Sequence, residues 1–261
     1  MKLVSLNINI NKFYDLVFPF LKKENPDVFC LQELLEEDVE KFKNDFNYQG
    51  VFIPTVYLNH PFQGGIQNKR FGVGIFAKEI LNSDSYYYAG SYEHIKLPFE
   101  EYFKQTHVRE NGLLDEDRGL LFADVKINDA VYKIATTHFM KATSPQTPLT
   151  GKYEEIDSTQ EQLDALDLMC GKLDSLDGFI FCGDLNSPRG NKAFTILASK
   201  YKDNIPVHYK TSIDSNLHIK KLTEPLMVDG LFTTPSYIAS EVKLVDGVSD
   251  HMAIVANIDK I

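Results

Sequence analysis

The chain has 261 residues, a formal net charge of −10 and a pI near 5.2. This acidic balance argues against a broad basic surface that binds duplex nucleic acid non-specifically. A content of 43% hydrophobic and 25% charged residues is that of an ordinary soluble globular protein.

Membrane and secretion signals are not apparent. No apolar stretch approaches the roughly 18 residues of a membrane-spanning helix, and Met1 leads directly into a strand pattern. Of the three cysteines, Cys30 and Cys182 lie inside apolar runs and no CxxC pair occurs, which favours buried thiols over zinc binding or disulfides. We therefore expect a cytoplasmic monomer with no transmembrane segment.

Strands and helices alternate in the first quarter of the chain, and short strands follow. The second helix places Val39, Phe42 and Phe46 on one face. The predicted elements, in chain order, are a strand at 2–9, a helix at 12–23, a strand at 27–33, a helix at 36–46, and strands at 51–53, 72–77 and 85–91.

The second half combines a hairpin, two helices and several strands. Residues 120–127 and 131–139 form the hairpin. The longest helix, 157–176, has Asp157 or Ser158 as its predicted N-cap. The remaining predicted elements are a strand at 179–182, a helix at 191–199, and strands at 227–233, 240–245 and 252–258.

This order of elements indicates two mixed β-sheets packed face to face with helices outside, as a single domain over residues 1–261. Four stretches without a clear pattern are too long for simple connections and are expected to form a substrate rim. They are residues 57–71, 94–118, 141–159 and 203–225.

Five apolar, strand-like runs each end at a polar residue that can hold a metal or move a proton. Such repetition suggests that the strand ends converge on one hydrophilic centre, as in a metal-assisted hydrolase. The runs end at Asn7, at Glu33, at His138, at Asp184 with Asn186, and at Asp250 with His251.

Gly183-Asp184-Leu185-Asn186 is the sharpest local signal. The glycine permits a tight turn, and Asp184 and Asn186 share one face of an extended segment. An aspartate can accept a proton or bind a metal, and an asparagine can donate to a phosphate oxygen. The alternative is a plain strand-to-helix turn, because Asp and Asn favour turns.

Asp250 and His251 are adjacent, and neighbouring side chains in a strand point to opposite faces. We therefore expect Asp250 to face a cation and His251 to face the substrate. A histidine that works near neutral pH needs a carboxylate to fix its tautomer, and Asp229 is the best candidate. A structural, hydrogen-bonded His251 is the alternative.

Glu33 follows an apolar run, where a carboxylate is costly unless it is paired or metal-bound. Mg²⁺ prefers one or two carboxylates together with water, and Glu33 and Asp250 would suffice. The absence of clustered Cys and His residues disfavours structural zinc.

The ordered set of motifs resembles the endonuclease/exonuclease/phosphatase (DNase I-like) superfamily from residue 3 to the C-terminus. The resemblance implies a four-layer α/β sandwich with a Mg²⁺-dependent phosphoesterase site, in which Mn²⁺ can substitute, at one edge of the two sheets. The matching segments are Leu6-Asn7, Leu31-Gln32-Glu33, Thr137-His138, Gly183-Asp184-Leu185-Asn186 and Ser249-Asp250-His251.

The resemblance also implies roles for the metal ligands. Glu33 would be the principal ligand, and Asn7 and Asp250 would complete or support the metal shell. Two positions depart from the pattern. Asn9 stands where some branches carry an aspartate, and Glu93 is a weak match to the glutamate that partners a second catalytic histidine.

The remaining residues would act on water and phosphate. Asp184 would orient or deprotonate the attacking water, and Asn186 would hold a phosphate oxygen. His251, paired with Asp229, and His138 would neutralise the phosphoryl group. Either Asp184 or His251 can be the base.

The substrate stays open between a small or lipid-like phosphate ester and a nucleic acid, and a non-catalytic binding module is the least favoured alternative. Thr137-His138 is similar to DNase I, sphingomyelinases, inositol-phosphate phosphatases and tyrosyl-DNA phosphodiesterases. Arg118 faces the site or the solvent. Rim residues that a substrate could contact are Phe62, Lys69, Arg70, Tyr102, Phe103, Lys104, Arg109, Tyr153, Lys220 and Lys221. The alternatives are solvated surface charges for the basic residues and packing over the core for the aromatic ones.

Overall fold

The structure is a computed structural model that describes residues 1–59, 67–106, 117–141, 158–219 and 225–261. Its elements in chain order are β1 (Lys2–Asn7), α1 (Tyr14–Glu24), β2 (Val28–Leu35), a 3₁₀ turn (Glu36–Asp38), α2 (Val39–Phe46), β3 (Gln49–Asn59), β4 (Gln67–Ala77), β5 (Ile80–Ala89), α3 (Tyr92–Ile95), α4 (Phe99–Gln105), β6 (Arg118–Ile127), β7 (Ala130–His138), α5 (Gln160–Asp174), β8 (Ile180–Asp184), α6 (Lys192–Lys200), β9 (Lys202–Asp203), β10 (Asp229–Thr233), β11 (Tyr237–Val245) and β12 (Ala253–Lys260).

The strands form two mixed, six-stranded sheets with the orders β11-β12-β1-β2-β4-β3 and β5-β6-β7-β8-β10-β9. Each sheet has one parallel pair at its centre, β1 with β2 and β7 with β8. The neighbouring pairs are antiparallel.

Both faces of the central strands are buried, which explains their nearly continuous apolar sequences. In β1, Leu3 belongs to the core between the sheets, whereas Val4 and Leu6 pack beneath α1 and α2. Helices α5 and α6 cover the outer face of the second sheet through residues such as Met169 and Leu197. The predicted four-layer α/β sandwich is therefore confirmed. None of the described helices combines the length and apolar character that crossing a membrane requires.

The chain topology brings the polar strand ends to one edge. Strands β1 and β2 pack on β7 and β8, and all four point their carboxyl ends the same way. The antiparallel strand β10 begins where β8 ends, with Asp229 directly opposite Asp184. Residues distant in sequence therefore meet at this edge.

Two of the stretches predicted to be irregular contain regular structure. Strands β3 and β4 extend into residues 57–71 because they pair with each other. Helix α4 lies within residues 94–118, and α3 overlaps the start of that stretch. These short helices are held by the buried side chains Ile95 and Tyr102 instead of by a long periodic pattern. Residues 204–219 lack helices and strands, as predicted.

The predicted N-cap of α5 was wrong. The hydroxyl of Thr159 accepts the hydrogen bond from the Gln162 N–H (3.2 Å), so Thr159 is the cap. The hydroxyl of Ser158 is used elsewhere, because it accepts from the Ala193 N–H in the first turn of α6 (2.9 Å). Asp157 lies outside the described residues.

Candidate active site

Glu33 reaches the sheet edge because β2 contains a bulge. Its φ is +56°, and the pairing with β4 shifts between Gln32 and Leu34. Regular alternation would place Glu33 on the helix-facing side with Phe29 and Leu31, but Leu34 takes that place. A bulge re-aims the side chain of its extra residue. The carboxylate therefore avoids the apolar layer beneath α1 and α2.

Gly183 permits a close approach of two strands instead of the predicted turn. It lies within β8 at φ +147°, and a Cβ atom there would lie 2.1 Å from the Thr137 carbonyl oxygen. The turn comes later, at Asn186 (φ +47°), whose N–H donates to Asp184 Oδ1 (2.8 Å). Its side-chain Nδ2 donates to the Phe139 carbonyl (2.8 Å).

Asn7 connects carboxylates from the two sheets. Its Nδ2 donates to Glu33 Oε1 (3.3 Å) and to Asp184 Oδ2 (3.0 Å). Its Oδ1 accepts from the Asn9 N–H (3.0 Å), and Asn9 Nδ2 donates to Asp250 Oδ2 (2.6 Å). Asn9, which stands where some branches of the family carry an aspartate, therefore holds Asp250 in place.

His138 is buried, and neither ring nitrogen has a hydrogen-bond partner among the described residues. Its Nε2 lies 3.5 Å from Asp184 Oδ2 and 3.9 Å from Glu33 Oε1. Burial, together with the positive charges of Arg118 and Lys141, keeps the pKa of His138 well below its usual value. The imidazole is therefore neutral near pH 7 and faces two acidic groups.

His251 has the opposite character. Its Nδ1 bonds to Asp229 Oδ2 at 2.8 Å, and its Nε2 lies 3.8 Å from Asp184 Oδ2. Burial alone would lower the pKa of His251, but the attraction of Asp229 and Asp184 outweighs it and raises that pKa to about 10. Asp250 and His251 precede β12 instead of lying in it, so the predicted alternation of faces does not apply to them.

Several carboxylates lie close together at this edge. Burial raises the pKa of Glu33 and of Asp184, and neighbouring acids, Asp250 for Glu33 and Asp229 for Asp184, add to the rise. Oxygen donors of this kind suit a hard divalent cation. The residues present therefore fit a metal ion.

Two sets of residues could hold that ion, one formed by Asp184, Asp229 and His251 and the other on the side of Glu33. Ligand atoms of Asp184, Asp229 and His251 all lie within 4.8 Å of one another. His251 Nδ1 and Asp229 Oδ2 already bond to each other at 2.8 Å, so these two ligand atoms are engaged within the protein. The side of the site that contains Glu33 therefore fits a cation better.

Arg118 is buried, so the solvent-facing alternative was wrong. Strand β6 starts beside the end of β7, so the Nη1 of Arg118 lies within reach of the His138 carbonyl oxygen and donates to it (3.1 Å). Glu93 is exposed on α3, and the carboxylate that pairs with the neighbouring His94 is Asp117, at 3.0 Å. Neither contact follows from local sequence.

The described rim residues differ from a basic groove. Lys69 and Arg70 form ion pairs with Glu37 and Glu36 beside a cavity of about 310 Å³. Tyr102 is buried, whereas Phe103 and Lys104 are exposed. The rim residues Phe62, Arg109, Tyr153, Lys220 and Lys221 lie outside the described residues.

Residues 4–251 match the model of the Endonuclease/Exonuclease/phosphatase family. The chain is a member of the endonuclease/exonuclease/phosphatase family. This family generally hydrolyses phosphate esters and is metal-dependent. No curated protein matches the sequence significantly.

Solved structures agree with the family's fold. An endonuclease/exonuclease/phosphatase from Bacteroides vulgatus is 15% identical with a TM-score of 0.66, over 100% of this chain and 98% of that chain. A mannosyl-6-phosphatase from Bacteroides thetaiotaomicron is 13% identical (TM-score 0.65, 99% of both chains). D. rerio TDP2 complexed with a single-strand DNA product is 16% identical (TM-score 0.63, 100% and 99%). Identities this low show a shared fold alone.

Proposed function

We propose that this protein hydrolyses a phosphate ester by Mg²⁺-assisted attack of water. The observation that carries the proposal is the meeting of three residues at one edge of the two sheets. They are Glu33 in the bulge of β2, Asp184 at the end of β8 and His251 before the start of β12. Within that edge a neutral His138 faces the buried Asp184 and the partly buried Glu33, and a protonated His251 lies beside Asp184.

The proposed metal ligands are Glu33 and Asp250, supported by Asn7. Their carboxylate oxygens favour Mg²⁺, with Mn²⁺ as a substitute. The bound ion would neutralise phosphate charge and lower the pKa of coordinated water. Asn7 would also keep Glu33 and Asp184 in place through its two donated hydrogen bonds.

The other residues would position water and phosphate. Asp184, held by the Asn186 N–H, is the proposed group that orients or deprotonates water. The second Nδ2 hydrogen of Asn186 can donate to a phosphate oxygen, since the first is held by Phe139. His251, kept cationic by Asp229, would stabilise charge that develops on the phosphoryl group, and His138 would donate to it.

A small or lipid-like phosphate ester fits this chain better than duplex DNA. The net charge is −10, and two of the described rim cations, Lys69 and Arg70, are already paired with acids.

We propose that the chain acts as one domain over residues 1–261. Its three free, buried thiols fit a reducing, cytoplasmic compartment, and we propose that it is monomeric.

The direct test is hydrolysis of bis-p-nitrophenyl phosphate and p-nitrophenyl phosphate with Mg²⁺, Mn²⁺ or EDTA. We expect turnover with either ion and none with EDTA. Asp184→Ala and His251→Ala should each lower the rate at least about a hundredfold, the scale for losing a proton-transfer group. The exposed residues Asp84 and His208 provide controls, Asp84→Ala and His208→Ala. Unchanged turnover in the site variants would reject the assigned roles.

A further inference from the structure

Gln32 is fully buried between the two sheets, one residue before Glu33. Its Nε2 donates to Ser5 Oγ on β1 of its own sheet (3.3 Å) and to Thr136 Oγ1 on β7 of the opposite sheet (3.1 Å). One amide group therefore joins the two sheets by hydrogen bonds inside a core that is otherwise largely apolar.

The partners of Gln32 lie one layer beneath the site. Ser5 is two residues before Asn7, and Thr136 is two residues before His138. Side chains two apart in a strand share a face. The hydrogen-bonded layer therefore supports site residues from both sheets at once.

Stability alone does not explain this amide. A buried polar group costs free energy unless its bonds are complete, and Oε1 of Gln32 has no partner among the described residues. Methionine has a similar volume and shape and would fill the same space without that cost. The hydrogen bonds do, however, restrict how far β2 can slide or separate from β7, which apolar contacts do less specifically.

We propose that Gln32 is a positioning residue that sets the distance between Glu33 on the first sheet and His138 on the second. The relevant separation is 3.9 Å between Glu33 Oε1 and His138 Nε2. Glu33 lies in a bulge at φ +56°, so local pairing with β4 does not hold its carboxylate as a regular strand would. The cross-sheet bond of Gln32 constrains the backbone next to Glu33, whereas the Asn7 hydrogen bond holds the carboxylate itself. This inference rests on the proposed metal-dependent hydrolysis.

The test uses Gln32→Met, which removes both hydrogen bonds at similar volume, and Thr136→Val, which removes the cross-sheet acceptor. Thr136→Ser keeps the hydroxyl and is the conservative variant. Ile75→Val is the matched control, because it removes one methyl group from the same inter-sheet core without changing a hydrogen bond. The measurements are Mn²⁺ affinity by calorimetry, the melting temperature of the metal-free protein, and kcat and KM with an activated diester.

Gln32→Met and Thr136→Val should weaken Mn²⁺ binding and lower kcat, each at least tenfold. The metal-free melting temperature of Gln32→Met should equal or exceed that of the native protein, whereas that of Thr136→Val should fall, because a buried amide hydrogen of Gln32 then has no acceptor. Thr136→Ser should retain native affinity, and Ile75→Val should lower the melting temperature while leaving the affinity unchanged.

Native Mn²⁺ affinity in both Gln32→Met and Thr136→Val would overturn the positioning role, and continued hydrolysis would then leave the proposed function intact. Equal loss of affinity in Ile75→Val would also overturn it, because general core stability would explain the effect. If the native protein neither binds Mn²⁺ nor hydrolyses any ester, the proposed function itself fails, and this is visible before any variant is made.

Discussion

Asp184 and Asp229 are direct cross-strand partners on β8 and β10, and they face the two ring nitrogens of one histidine. His251 Nδ1 lies 2.8 Å from Asp229, and Nε2 lies 3.8 Å from Asp184. Two buried carboxylates on opposed positions would repel each other without an intervening cation. The imidazolium of His251 supplies that positive charge between the two carboxylates.

Asp229→Asn should remove the main attraction that keeps His251 cationic. The pKa of His251, about 10 in the native protein, should fall towards its ordinary value, because burial is then less opposed. The loss of activity as pH rises should therefore occur at a lower pH, and the rate at pH 8 should fall about a hundredfold. The measurements are pH–rate profiles and NMR titration of the ring. The control Asp84→Asn should keep the native pH–rate profile. If Asp229→Asn lost activity at the same alkaline pH as the native protein, the prediction would be contradicted.

Divalent metal should stabilise the protein more at pH 8 than at pH 5. Folding raises the pKa of Glu33 and of Asp184 above their ordinary values of 4.5 and 3.8. The stabilising contribution of each group is therefore fully present when the pH is below its ordinary pKa. That contribution is lost as pH rises through the folded pKa values, and metal binding then requires the ionised acids. At 100 times Kd the gain should reach about 2.7 kcal/mol.

Thermal unfolding with Mn²⁺ at both pH values measures this gain, and EDTA should reverse it. Glu33→Gln should show a much smaller shift, whereas Asp84→Asn should keep the native one. An equal shift for native protein and Glu33→Gln would mean that the ion binds elsewhere.

Glu33→Gly should be more stable than Glu33→Ala by about 1 kcal/mol in the metal-free form, although both should be inactive. The positive φ of Glu33 strains any residue that has a Cβ atom, and glycine relieves that strain. Urea unfolding measures the difference. At Ser83, exposed in the regular strand β5, the order should reverse, since glycine weakens an ordinary strand. The same order at both positions would argue against strain at Glu33.

Gly183→Ala should destabilise the protein by more than about 3 kcal/mol. The added Cβ would lie 2.1 Å from the Thr137 backbone oxygen, so β7 and β8 must separate at the point where they end in His138 and Asp184. Gly190→Ala is the matched control, because its φ is +106° but no atom lies within 4 Å of the added carbon. It should cost only about 1 kcal/mol. Chemical denaturation of both variants measures these costs, and equal costs would refute the steric explanation.

The sequence alone determined the chemical types at the site and the main layers of the fold. Apolar runs that end in Asn7, Glu33, His138 and Asp184 predict strand ends, since hydrophobic burial and strand period are local properties of the chain. The same local reasoning placed α1 and α6 within one or two residues of their observed bounds. It did not predict α3 and α4, which depend on packing of Ile95 and Tyr102.

Only the tertiary structure decided how these residues meet. The bulge that turns Glu33 away from the helices depends on pairing with β4, and the cross-sheet bond of Gln32 depends on β7. The buried position of Arg118 depends likewise on where β6 starts beside β7. Sequence patterns report how each segment exposes its own faces to water. Distances between segments are set by strand register and sheet packing, which involve residues more than a hundred positions apart, as with Gln32 and Thr136.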